Sequence, residues 1–366
     1  AFDLTLPPVG SVFVVTGADA PMDVLRLHPP AAGAQPSPSP SVGRAPEREG
    51  SPPPEQVSGA VHTPPAVHTP PALEIEGPPL ELDGSWSFTA EGDNALVVTG
   101  WVACPEAEGA GPEAYAGPEV DEAGWQPVVA GAWAYQLPVE PDGGWPVPVW
   151  YRIGFDVDDL PERLALLVDG FDGDDPRVWL NGREVPWRPV RSRIDAQMGE
   201  LDLSGAARQG RNLLAVRLVL REATGGLVDH VKLLGSFALA GDADRGYRMA
   251  ARPGGPARPD SWTGQGYPFY SGRGRYRTTV DVPAELAGRR LLLEVPMGDD
   301  VLEVEVNGQP AGVRLWDPYV VEVTGLLRPG PNELALRVAN TPANLLNGTP
   351  RPSGLTGRPR LVEVAG

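Results

Sequence analysis

Three sets of residues in this chain could do chemistry. Trp262, Tyr267, Phe269 and Tyr270 stand among glycines, Trp316 and Tyr319 flank an Asp317-Pro318 turn, and Asn340, Asn344 and Asn347 gather before the last strand pattern. An aromatic ring against the apolar face of a pyranose, with amides for its hydroxyls, is what sugar binding requires. The plain alternative is that these side chains pack a seam between modules. The second set is the loop Asp169-Gly170-Phe171-Asp172-Gly173-Asp174-Asp175, with Asp299 and Asp300 at the matching place further on. Asp169, Asp172, Asp174 and Asp175 around glycines form an oxygen-rich segment of the type that wraps calcium, although no Glu closes a twelve-residue loop. A solvated loop explains the same residues. The third set is the acids as a whole. Glycoside hydrolysis needs two carboxylates ~5 to 5.5 Å apart, or wider for inversion, and 48 acidic residues single out no pair. Catalytic residues stay unassigned.

Other machinery is missing from the pattern. No Gly-x-Ser-x-Gly elbow, phosphate-binding Gly-x-x-x-x-Gly-Lys run or His-Glu-x-x-His helix occurs. His62 and His68 lie in a direct repeat of Val-His-Thr-Pro-Pro-Ala and have no third ligand nearby. His230, the only histidine after His68, is expected at a strand entrance following Gly225-Gly226. Asn347-Gly348-Thr349 reads formally as a glycosylation acceptor.

The elements that position these residues are strands. Glycine (45) and proline (44) are abundant and helical periodicity is scarce, so the expected class is all-β, with many short strands joined by turns. Self-comparison sharpens this. Trp150-Tyr151-Arg152 followed by alternating Ile153, Phe155 and Val157 matches Arg275-Tyr276-Arg277 followed by Thr278, Val280 and Val282. Val178 to Gly182 matches Val304 to Gly308, Gly210 to Arg217 matches Gly330 to Arg337, and Gly226-Leu227 matches Gly354-Leu355. The order is the same and the offset nearly constant, as in a duplicated module. Asn-Gly between alternating runs is a strong hairpin signal, because both residues tolerate positive φ. Gly-x-Asn before an apolar run launches a strand. The expected organisation is terminal strands of a truncated preceding β domain over 1–17, a Pro-rich linker over 18–72, and β-sandwich modules over 73–240 and 241–366. The linker composition cannot bury enough apolar surface to offset ordering entropy.

A net charge of -18 spread along the chain disfavours nucleic acid and anionic membranes as partners, and a neutral ligand such as a sugar fits it better. Lys232 is the only lysine, and the arginine bias is read as a property of base composition. Cys104 is alone, so neither an internal disulfide nor a Cys-based zinc site forms. No run approaches ~18 apolar residues. The chain opens at Ala1 without a start methionine or leader, which suggests processing or a piece of something longer.

Three segments carry a family resemblance: Val149 to Val157, Arg177 to Val185 and Gly210 to Val216, repeated in the second copy and closed by Pro352 to Leu361. They resemble the sugar-binding, galactose-binding-like jelly roll of family 2-type glycoside hydrolases over roughly residues 73 to 366. A further likeness links Leu6-Pro7-Pro8-Val9-Gly10-Ser11, Gly235-Ser236-Phe237 and Gly266 to Gly272 to the carboxy-terminal end of large bacterial α-L-rhamnosidase-like hydrolases. The resemblance implies tandem jelly-roll sandwiches, a carbohydrate partner, a catalytic domain upstream in the same polypeptide, and a secreted or periplasmic setting. No hydrolytic residue carries over, because the barrel that would hold it is not in this sequence. The expected function is a non-catalytic carbohydrate-binding or domain-positioning region of a glycoside hydrolase acting on plant or bacterial polysaccharide. No cofactor is expected to be required, with structural calcium as the exception to test. The alternatives are a structural or adhesive protein without glycan affinity, and an intact glycosidase with an unfamiliar site.

Overall fold

The computed structural model describes residues 75–136 and 144–365. The chain divides into two units, 1–68 and 69–366, and every described residue lies in the second. The terminal strands expected over 1–17, the linker over 18–72, His62 and His68 lie outside the described residues.

The described residues are all-β. Their only α-helices are the single turns Glu113–Ala116 and Ala343–Asn347. Alternation explains the strands. Along Arg273–Val282 every second side chain from Gly274 onward is buried, and the residues between them face outward, the period-2 pattern of a sheet with one face on a core.

Two sandwiches result, each with a long and a short sheet around its own apolar core. The long sheet of the first runs Arg183–Val185, Asp174–Leu180, Gly210–Leu220, Val147–Val157, then Gly246–Ala250 and Ala238–Asp242. The second repeats that order with Gln309–Arg314, Val301–Val306, Gly330–Ala339 and Arg273–Val282, and adds Ser87–Ala90. The short sheets correspond as well. Gly199–Asp202, Leu164–Val168, Lys232–Gly235 and Asn94–Val97 face the first core, where Val320–Glu322, Leu291–Glu294, Arg360–Val364 and Ile75–Glu81 face the second.

Two boundaries differ from the expected ones. Ile75–Glu81 pairs with Arg360–Val364 and Ser87–Ala90 with Arg273–Val282, so residues 75–90 complete the second sandwich instead of opening the first. Leu82, Trp86 and Ala90 bury themselves in the second core, and that apolar set decides which sheet edge the segment covers. The expected break at 240 falls inside the hairpin Ala238–Asp242/Gly246–Ala250, whose second strand runs parallel to Val147–Val157 and places Met249 in the first core.

The Asn-Gly and Gly-x-Asn anchors build one device in both sandwiches. Asn181 and Gly182 have φ of 55 and 81, Asn307 and Gly308 of 51 and 76, as a tight hairpin demands. Asn181 Nδ2 donates to Asn212 Oδ1 (2.9 Å) and to the Ala206 carbonyl, while its Oδ1 accepts from the Leu213 amide. Asn212 donates to the carbonyls of Arg208 and Gly210 and accepts from the Arg208 amide. Asn307 and Asn332 make the same six bonds with Leu326, Glu333, Arg328 and Gly330. Both Asn212 and Asn332 are buried, so these bonds satisfy amides that would otherwise be costly to desolvate.

Candidate functional site

The aromatic segment expected to meet sugar is inside the molecule. Trp262, Tyr267 and Tyr270 belong to the second core and Phe269 to the first. Trp262 stacks on Tyr276 and meets Tyr270 edge-on, while Phe269 meets Tyr247 edge-on at 5.2 Å. Residues 262–270 thus rivet the two cores together, and no ring face is left for a pyranose. The cause is the apolar area of four adjacent aromatics, which gains more from two nearby cores than from water. Trp262 Nε1 is the one buried side-chain polar atom without a hydrogen-bond partner among the described residues.

The amides follow the aromatics inward. Asn340 Nδ2 donates to the Tyr270 carbonyl and Ser353 Oγ, and its Oδ1 accepts from the Gly272 amide. Asn344 is clamped to Arg351 through both its amide nitrogen and its oxygen. Asn344 sits on the short helix that pushes Leu345 into the first core. Tyr319 is buried and donates its hydroxyl to the Asp300 carbonyl at 2.6 Å. Only Trp316 of the aromatic candidates is on the surface, 62% exposed, beside exposed Val313 and Leu315.

Three of the four aspartates of the acidic loop are drawn to different cations. Asp169 reaches the buried Lys232 at 3.2 Å, Asp174 pairs with Arg221 through both oxygens, and Asp175 meets Arg217. Among the described residues no three His, Cys, Asp or Glu side chains converge into a group that could hold a metal ion. Three of the four carboxylates are already held in ion pairs.

In the second sandwich the matching loop differs. Asp300 is buried, its Oδ2 accepts from the Gly354 amide at 2.7 Å, and desolvation pushes its pKa up to about 7. Burial raises a carboxyl in this way because the charged form loses its water. One such group is not a hydrolytic pair. Its hydrogen bond ties the 298–300 turn to residues 353–355.

A large concavity lies along the seam of the two sandwiches, a cleft of about 1300 Å³. Five arginines (Arg163, Arg191, Arg193, Arg252 and Arg273) and three carboxylates (Glu91, Asp93 and Glu200) line it. Each carboxylate is already partnered. Arg163 pairs with Asp93 at 3.2 Å and with Glu200, which also accepts from Ser192 Oγ. Glu91 lies between Arg275 and Arg337. Arg252 donates to the Gly92 carbonyl. Arg191, Arg193 and Arg273 have no ion-pair partner among the described residues, and all three are exposed. Local structure positions two of them: Ser192 turns inward, bonding the Met198 carbonyl through its amide and Glu200 through its hydroxyl, so its neighbours on either side face the cleft.

This arginine set was not among the sequence candidates. The visible signal was Arg191-Ser192-Arg193 in a chain of charge -18. The rest of the cleft is assembled from segments far apart along the chain, which no local pattern joins.

No family model matches the chain. It is similar to a beta-galactosidase of Arthrobacter sp. (strain B7), 30% identical over an alignment of 288 residues, with 69% of this chain and 26% of that protein covered. Among solved structures it is similar to the exo-chitosanase CsxA of Amycolatopsis orientalis (TM-score 0.34, 17% identity, 68% of this chain and 29% of that one). A glycosyl hydrolase family 2 member of Bacteroides cellulosilyticus DSM 14838 gives a TM-score of 0.32 at 15% identity, over 68% of this chain and 32% of that one. The chain thus spans about a quarter of the curated relative and under a third of either solved chain.

Proposed function

We propose that this chain is a non-catalytic, carbohydrate-associated region of a glycoside hydrolase polypeptide, in which two β-sandwiches hold glycan or position a catalytic domain carried elsewhere on the same polypeptide. The observation that carries this reading is the 30% identity over 288 residues to about a quarter of a beta-galactosidase. One feature of the molecule supports it: the seam cleft, at about 1300 Å³, is larger than the ~300–1,000 Å³ usual for a small-molecule pocket, as an oligomer requires.

Affinity electrophoresis of the full chain through gels containing neutral and acidic plant and bacterial polysaccharides tests the binding role. Retardation by at least one is expected. Unchanged mobility in all of them eliminates glycan binding. Release of nitrophenol from aryl glycosides would make the chain an enzyme by itself and overturn the non-catalytic reading.

The positioning role has its own support in Val313, Leu315 and Trp316, three exposed apolar side chains within four consecutive residues on an edge strand and its turn. Such a group marks a contact surface more often than scattered exposed residues do.

A further inference from the structure

We infer that the seam cleft recognises an anionic oligosaccharide, its charge carried by uronate carboxylates or sulfate esters. The inference rests on the carbohydrate reading above and adds the ligand's chemical class.

The argument is a charge balance at one place. Across the chain acids outnumber bases, 48 to 30, yet five of the eight charged residues lining the cleft are arginines. All three acids there are neutralised within the protein: Asp93 and Glu200 by Arg163, Glu91 by Arg275 and Arg337. Arg191, Arg193 and Arg273 are left with donors directed to solvent, and Arg252 uses only one nitrogen, on the Gly92 carbonyl. A guanidinium presents a planar fork that fits a carboxylate or sulfate with two parallel hydrogen bonds. The excess of negative charge elsewhere does not cancel this. The Debye length at physiological salt is about 8 Å, so a ligand inside the cleft senses the guanidiniums beside it far more than remote carboxylates.

Geometry favours a saccharide over an acidic polypeptide. On the hairpin that bears Arg191 and Arg193, Val190 and Ile194 are also exposed, and both line the cleft. Aliphatic side chains interleaved with guanidiniums suit a ring that has one C–H face and a charged substituent at its edge. Gly92, Ser271 and Gly272 also line the cleft, small residues that admit a ring close to the backbone.

Calorimetric titration of the full chain tests this with four probes: a galacturonic acid tetramer, a chondroitin sulfate tetrasaccharide, a neutral galactose tetramer and a glutamate hexapeptide. The expected result is binding of at least one charged saccharide, at least tenfold tighter than the neutral one, weakening between 50 and 500 mM NaCl. Whichever charged saccharide binds tighter identifies carboxylate or sulfate as the recognised group. The double variant Arg191→Gln/Arg193→Gln and the single variant Arg273→Gln replace exposed side chains without ion pairs, and each is expected to lose at least fivefold in affinity for that saccharide. Should a variant misfold, the salt series on the unaltered chain separates charged from neutral recognition without it. Equal affinity for neutral and charged tetramers, or affinity unchanged in both variants, overturns the inference and leaves the carbohydrate reading standing. Preferential binding of the glutamate peptide, lost in the variants, overturns it in favour of an acidic polypeptide. Failure of every saccharide overturns the inference and counts against glycan holding in this cleft, and leaves the positioning role standing.

Discussion

The outer faces of the two long sheets occupy equivalent positions and solve the same problem in opposite ways. In the first sandwich the face carries Trp150, Trp179 and Arg152, and residues 105–125 fold over it. Tyr115 stacks on Trp150 with centroids 5.0 Å apart, Trp150 lies 4.6 Å from Trp179, and its Nε1 donates to Glu106. Arg152 disappears beneath this cover, bonded to the carbonyls of Tyr115 and Gly117 and to Glu122. In the second sandwich the matching positions are Arg275, Glu305 and Arg277, and no described segment covers them. Glu91, Arg275, Arg337 and Glu303 form a ladder of ion pairs open to water. The difference teaches that the shared frame is set by the inner faces and turns, and leaves the outer faces free to specialise.

Breaking the covered face has the largest expected effect. Trp150→Ala empties a fully buried site and removes two ring contacts, and is expected to cost about 3–5 kcal/mol, measured as a shift in the urea midpoint. A loss below ~1 kcal/mol would mean that the cover contributes little and that the two faces are energetically alike.

The acidic loops sharpen the comparison next. Asp174 pairs with Arg221 at the surface, whereas its counterpart Asp300 is buried with a pKa of about 7. Raised above the unfolded value of ~3.9, Asp300 binds its proton more tightly in the folded state. The stability it contributes is full below pH ~4, declines as pH rises, and is lost above about pH 7. At ~1.4 kcal/mol per pH unit the loss is at most about 4 kcal/mol. Asp300→Asn is therefore expected to raise the melting temperature at pH 8 and to flatten its fall between pH 4 and 8. A parallel profile for Asp300→Asn and the unaltered chain would refute the assignment.

The asparagine device should make the sandwiches equal again. Asn212→Ala and Asn332→Ala each remove four hydrogen bonds and leave part-buried partners unpaired, for about 2–3 kcal/mol apiece. The loss is read from hydrogen exchange of each core. A difference of more than ~1 kcal/mol between the two would show that the matched bonds are not matched in energy.

The open ladder sets the lower end. Arg337→Ala breaks pairs with Glu91 and Glu303 on a partly exposed face, and the expected cost is under ~1 kcal/mol and smaller still in 0.5 M salt. A larger, salt-independent loss would point to packing by its aliphatic stem.

Much of the frame was legible beforehand. Trp150-Tyr151-Arg152, Asn181-Gly182 and Gly210-Arg211-Asn212 place strands and turns where the structure has them, as do their partners near 275, 307 and 330. These signals are local: positive φ at Asn-Gly and alternation along a strand are properties of a few consecutive residues. The candidate site was poorly legible for the same reason. An aromatic that stacks on a sugar and one that fills a core have the same letter, and Trp262, Tyr267, Phe269 and Tyr270 proved to be core. Arg163, Arg252 and Arg273 lie far from Arg191-Ser192-Arg193 along the chain and share no motif with it.

The sequence by itself determined the all-β class, the recurring strand-turn frame and the hairpins, because each depends on backbone preferences and alternation among near neighbours in the chain. Only the tertiary structure decided that residues 75–90 complete the second sandwich, that the aromatic segment is a rivet between cores, and that unpaired arginines share one cleft. Those outcomes depend on which distant surface covers which, and on whether a charge finds its partner across a seam. Burial and ion pairing are set by everything that surrounds a residue, and that environment exists only after the chain has folded.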